Sequence, residues 1–248
     1  MSRFDQKIVL IVGEPDEVAI ATGKKMAGQD AVITLCGDNS CNQLENASAS
    51  IRLSGNDTDW IHSELSGADD AGQIINYIME KHGHLDILVV NLAAHAMMRK
   101  AVGNGFDTAP HQAVIATMNL IEDAIPALQK SDNGRIINVG SIDYLGAPGK
   151  PALSSAYSSL FGLTRSLALR AAKDGLTVNS VVMGDIETPP MAEEEIKGRL
   201  SSIPVKRMGQ PDDVANANSF FAADSAKDVT GKTFFVCGGK SMHYSMSI

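Results

Sequence analysis

Apolar residues in this chain come as short dense runs separated by longer mixed stretches. Lys7–Val12 (KIVLIV), Ala31–Cys36 (AVITLC), Asp86–Val90 (DILVV), Ile136–Val139 and Leu176–Val182 (LTVNSVV) are rich in Val, Ile and Leu. Apolar runs of this length predict strands buried on both faces, as in a parallel sheet. Ile51–Leu53 and Val229–Gly239 complete the expected strands. Between the runs, Asp59–Lys81, His111–Gln129, Ala152–Ala172 and Gly209–Ala223 predict helices. A further helix is expected to begin near Pro15, since proline is tolerated in a first turn. Alternating strands and helices predict an α/β fold. We expect one domain over residues 1–248, a doubly wound parallel sheet of about seven strands with helices on both faces.

Length and composition agree with that expectation. The chain has 248 residues, of which 44% are hydrophobic and 20% charged, enough for a sizeable core. A net charge of −8 argues against nucleic acid and anionic membranes as partners. Cys36, Cys41 and Cys237 have no ligand-like spacing and suit reduced thiols. The six histidines show no metal spacing, so no metal site is expected. The start, MSRFDQK, lacks a signal-peptide core, and no apolar run could span a bilayer, so a cytoplasmic location is expected.

The stretch from Gly134 to Pro190 carries the chemistry. Its segments GRIINVGS, GLTRSLA and LTVNSVV, with the turn Gly184–Thr188, resemble the short-chain dehydrogenase/reductase family. The resemblance extends from about Lys7 to Gly239. It implies a Ser after the central strand that polarises the substrate oxygen. It also implies a Tyr-x-x-x-Lys pair on the next helix: Tyr moves the proton, and Lys lowers its pKa and holds the NAD(P) ribose. The Ser is present as Ser141. Counting back from GLTRSLA puts the Tyr and Lys positions at Leu153 and Tyr157; counting forward from Ser141 puts them at Ser154 and Ser158. The family's helix-borne Asn falls on Ala113, and Asn119 is off that register. Tyr77 and Lys81 have the right spacing but precede the wrong strand, so they read as a chance match on a surface helix. No catalytic residue is therefore expected, and Ser141 reads as vestigial.

The cofactor positions are altered in the same way. Where the family has Thr-Gly-x-x-x-Gly-x-Gly, this chain keeps Gly13 but has Glu17 and Ala19 at the later glycines. A side chain at the second glycine takes space needed by the diphosphate. At roughly 5 Å and an effective dielectric near 20, each like-charge pair costs about 3 kcal/mol, roughly a hundredfold in affinity. Glu14, Asp16 and Glu17 then outweigh the helix dipole. The alternative is a variant loop that shifts to admit the cofactor. The ribose-binding acid is expected at Gly37, with Asp38 one residue late, and the adenine-contacting Asp at Asn56. The family's Asn-Asn-Ala-Gly becomes Val90, Asn91, Leu92 and Ala93; Met183 replaces a Pro, while Thr188 matches.

What remains is scaffold. In the family, the helices at 111–129 and 152–172 form a four-helix bundle with a second subunit. The resemblance implies a non-catalytic subunit that binds no cofactor and assembles with an active paralogue, NAD being held by that partner. Two rivals stay open. One is an atypical NAD-dependent oxidoreductase using Ser141 with Tyr157 or Tyr144. The other is a ligand-binding or regulatory protein. The loop 95–110, with Met97, Met98, Arg99, Lys100 and His111 beyond it, reads as a substrate or interface loop. Residues 190–200 resemble the family's substrate lid, shortened and acidic.

Overall fold

The structure, a computed structural model, describes residues 3–66, 68–95, 98, 108–188 and 190–245. Seven strands form one parallel sheet: β1 (Ile8–Val12), β2 (Val32–Gly37), β3 (Thr58–His62), β4 (Ile87–Asn91), β5 (Arg135–Ser141), β6 (Thr177–Met183) and β7 (Thr233–Val236). Their order is β3-β2-β1-β4-β5-β6-β7, so the winding direction reverses between β1 and β4. That reversal opens a crevice at the carboxyl ends of these strands, where ligands of open α/β sheets bind.

The alternation of side chains along each strand builds two cores. On one face Leu10, Leu88, Ile136 and Val178 meet α3 (Ala68–His82), α4 (Ala109–Leu128) and α5 (Pro151–Ala171) through Ile74, Ile78, Leu120, Ile121 and Leu167. On the other, Val9, Ile33, Val89, Ile137 and Val181 meet α1 (Glu17–Ala27), α2 (Cys41–Arg52) and α7 (Pro211–Ala222) through Val18, Met26, Ile51, Val214 and Phe221. A short helix α6 (Glu193–Ser201) follows β6, and α8 (Lys240–Ser245) follows β7. The doubly wound α/β fold expected from the sequence is therefore present.

Five expectations need correction. Ile51–Leu53 is not a strand: Ile51 is the buried face of α2, whose start is fixed by a Ser40–Gln43 capping box. The third strand is Thr58–His62, at the sheet edge, where mixed polarity is tolerated. The helix expected over 59–81 therefore begins only at Ala68. Asn56 precedes β3, at the amino edge of the sheet, and its amide donates to the Asp30 carbonyl at 2.8 Å; it cannot take the adenine role. Pro15 lies outside α1, since Asp16 is the N-cap. The last strand is shorter than expected, and Lys240–Ser245 of the tail is helical. Of the 95–110 loop, residues 96, 97 and 99–107, with Met97, Arg99 and Lys100, lie outside the described residues.

Candidate functional site

At the crevice, the end of β1 is locked to its neighbours by close backbone approach. Gly13 has φ +134, and a Cβ there would sit 2.7 Å from the Asn91 carbonyl oxygen. A Cβ on Gly37 would sit 2.7 Å from the Gly13 carbonyl oxygen. Both glycines thus serve strand-end packing, whatever else binds there. The space between these ends, lined by Gly13, Glu14, Gly37, Glu64, Leu65 and His95, has a volume of about 10 Å³. That holds about one water. Leu65 helps close it: its backbone adopts φ +46, a strained conformation for leucine, and its side chain is buried against Val12 and Cys36. Burial pushes the Cys36 thiol up to about 12, with the Asp70 charge adding to it, so it stays neutral.

The amino end of α1 points into the same crevice. Asp16 caps it, its Oδ1 accepting from the Ala19 N–H at 2.8 Å. The same oxygen accepts from the Asn91 amide at 3.1 Å. Asn91, buried at the end of β4, therefore holds a protein carboxylate. Glu17 is exposed and Ala19 is buried in the sheet-facing core.

The catalytic positions lie at the ends of β5 and α5. Ser141 ends β5, and its Oγ accepts from the Asp143 N–H at 3.2 Å, a local turn contact. Leu153 and Tyr157 are buried in one apolar cluster with Leu92, Met98, Ala113, Val114, Ala156 and Leu160. The cluster brings together three positions singled out in sequence: Ala113, Leu153 and Tyr157. Ser154 and Ser158 lie elsewhere on α5, donating to the carbonyls of Asp143 at 2.7 Å and Tyr144 at 3.0 Å. Of the two registers, counting back from GLTRSLA gives the residues that face Ala113. The ring of Tyr157 lies near Gly140: a Cβ on that glycine would be 3.8 Å from Tyr157 Cδ1.

Tyr144 stacks on Phe161 at 5.6 Å between ring centroids and tilts against Phe235 at 6.1 Å. Burial raises its phenol pKa, and Cys237 adds to the effect. A proton-transferring Tyr needs the reverse, a nearby cation that stabilises phenolate. Tyr77 and Lys81 converge on Asp59, Lys81 Nζ lying 2.5 Å from its Oδ2. Desolvation and the Asp59 hydrogen bond raise the Tyr77 pKa despite Lys81. Asp59 is near the amino end of β3, so this pair is remote from the crevice.

Beyond β6, a Cβ on Gly184 would sit 2.8 Å from Cys237 Cα, so this glycine too is a packing requirement. Met183 is half-buried and Thr188 is exposed. Asp185, missed in sequence, ties the segment down: it pairs with Arg199 of α6 at 3.1 Å and Lys240 of α8 at 2.6 Å. Only the acidic-basic composition of the lid hinted at it. Among the described residues no group of three or more His, Cys, Asp or Glu is placed to hold a metal ion, and no helix is long and apolar enough to cross a membrane.

Comparison with known proteins places this geometry. The profile of a family described as enoyl-(acyl carrier protein) reductases matches residues 15–241. The subunit BbsC of (2S)-[(R)-hydroxy(phenyl)methyl]succinyl-CoA dehydrogenase from Thauera aromatica is 38% identical, covering 100% of this chain and 99% of its own. The chain belongs to the short-chain dehydrogenase/reductase family. A second subunit of that enzyme, BbsD, is 28% identical over 96% of this chain and 98% of its own length. The NAD⁺-bound xylitol dehydrogenase structure superposes with a TM-score of 0.83 at 19% identity, covering 96% of this chain and 100% of that one. This last likeness concerns the short-chain dehydrogenase/reductase fold alone.

Proposed function

We propose that this chain is a non-catalytic subunit of an NAD-dependent short-chain dehydrogenase complex. It pairs with a catalytically complete family member, which holds the NAD and performs hydride transfer. The alcohol oxidised is a CoA thioester of the 2-[hydroxy(phenyl)methyl]succinyl-CoA class. One observation carries the reading: the positions where the family keeps Asn, Tyr and Lys are Ala113, Leu153 and Tyr157, packed together as apolar core. General acid–base groups each contribute typically ~10²–10⁴-fold, and among its described residues this cluster holds no Lys or Arg beside Tyr157. The crevice supports the same reading, because carboxylates of Glu14 and Glu64 line the space between the strand ends and oppose a second anion there. The partner assignment rests on the two subunit names borne by the relatives BbsC and BbsD.

Exposed apolar side chains indicate where such a partner would sit. Ile115 and Met118 on α4, and Phe161 and Leu169 on α5, are exposed, Leu169 by 84%. These are the two helices expected to form the bundle. The experiment is an NADH fluorescence titration of the isolated chain, followed by mixing with a complete family member of the BbsD kind. We expect no saturable NADH binding alone, and a stable complex that oxidises the CoA thioester. Micromolar NADH binding with turnover by the isolated chain would overturn the proposal.

A further inference from the structure

A dinucleotide is held in this fold by backbone N–H groups aimed at its diphosphate from the first loop and helix end. In this chain those donors are largely engaged internally. The Gly13 N–H donates to the Cys36 carbonyl at 2.9 Å and the Glu14 N–H to the Ala94 carbonyl at 2.9 Å. The Asp16 N–H reaches the Glu14 carbonyl at 2.7 Å, and the Ala19 N–H goes to the Asp16 carboxylate at 2.8 Å. Pro15 has no N–H to give. The Asn91 amide, 3.1 Å from the same carboxylate, is turned to it as well.

We propose that Asp16 is a built-in substitute for the cofactor diphosphate, its carboxylate occupying the Ala19 N–H and the Asn91 amide and excluding the dinucleotide. The inference rests on the reading that the isolated chain binds no NAD(H), and it names the residue responsible. An anion at a helix amino end is stabilised by the local N–H groups and the helix dipole. A second anion arriving there would meet a charge already in place. Glu14 and Glu17, on either side, repel it further.

Two variants test this. Asp16→Gly empties the position while keeping a residue that serves as an N-cap with little loss. Asp16→Gly/Glu17→Gly also restores the glycine at the second fingerprint position. Inorganic pyrophosphate and NADH are the probes. Pyrophosphate should raise the melting temperature of Asp16→Gly by a few degrees and leave that of the wild type unchanged. NADH should bind the double variant at least a hundredfold more tightly than the wild type, since two like charges are removed and each costs roughly a hundredfold. Wild-type binding of NADH at micromolar concentration would overturn the proposed function and this inference together. A silent wild type with a folded Asp16→Gly that neither probe affects would overturn the role of Asp16 alone. If the double variant fails to fold, the pyrophosphate melt of the single variant decides.

Discussion

Two buried charges in this chain are balanced in opposite ways. Asp86, 4% exposed, would be raised in pKa by burial, but the Ser131 hydroxyl, the Ile8 N–H, Lys7 and His84 outweigh that and hold it below the usual carboxylate value. Lys7 Nζ lies at 3.3 Å and His84 Nε2 at 3.1 Å. A lowered folded pKa means stability that is present above the unfolded value of about 3.9 and lost as pH falls through the folded pKa. Urea melts should therefore show Asp86 supporting the fold at pH 7 and its contribution shrinking as the pH falls below about 3.9, and Asp86→Ala should cost about 2–3 kcal/mol at pH 7. Arg135 is the contrary case. It is 0% exposed, its Nη1 donates to the Gly134 carbonyl at 3.2 Å, and its Nε has no partner among the described residues. Desolvation lowers its pKa, opposed only by Asp224 at longer range. Its Nη2 donates to Asn133 Oδ1 at a long 3.5 Å, so Arg135→Met should be neutral or stabilise by about 1–4 kcal/mol in thermal melts, since a buried charge with no facing carboxylate among the described residues gives way to packed methylenes. Rebuilding the family pair should fail for a related reason. Leu153→Tyr with Tyr157→Lys inserts a hydroxyl and an ammonium into the apolar cluster with Ala113 and Leu92. Circular dichroism melts should show a loss of about 3 kcal/mol or more. Dehydrogenase assays should show no activity.

Strands β1, β2, β4, β5 and β6 were legible because both faces are buried and Val, Ile and Leu dominate each run, even where Asn138, Asn179 and Ser180 interrupt it. Strand β3 was not. Its residues grade from buried at Thr58 through half-buried Asp59, Trp60 and Ile61 to exposed His62 at a sheet edge, while Ile51 carries a stronger apolar signal from a helix. That error misplaced the adenine-side residue onto Asn56, when Ser63 and Glu64 follow the true strand. The catalytic positions could be located by counting, but their packing could not. Nothing in the letters Ala113, Leu153 and Tyr157 says that they meet. Asp16 was legible as charge, yet its role as a cap depends on a backbone conformation, φ −74 and ψ 177, that composition does not reveal. For α2, the Ser40–Gln43 box predicts that Ser40→Ala lowers stability by about 1 kcal/mol in chemical melts, with the edge strand β3 loosening first in hydrogen exchange.

Seven parallel strands with long crossovers make a core that does not depend on the crevice. The three thiols report on it. Cys41 is exposed, whereas Cys36 and Cys237 are buried. Maleimide labelling of the native chain should modify Cys41 rapidly and the other two only on unfolding, followed by mass spectrometry. The exposed apolar side chains tell a further story. Ile115, Met118, Phe161 and Leu169 lie on α4 and α5, while Val205, Phe220, Phe234 and Met242 lie around α7, β7 and α8. Large uncovered apolar areas mark either interfaces or aggregation hazards. Under the proposed function, a copy without its partner is adhesive toward itself and toward bystanders, and its upkeep falls to chaperones and proteases. On that reading, production in balanced amounts with the proposed partner, more than any intrinsic melting point, would govern how much of this polypeptide survives in a cell.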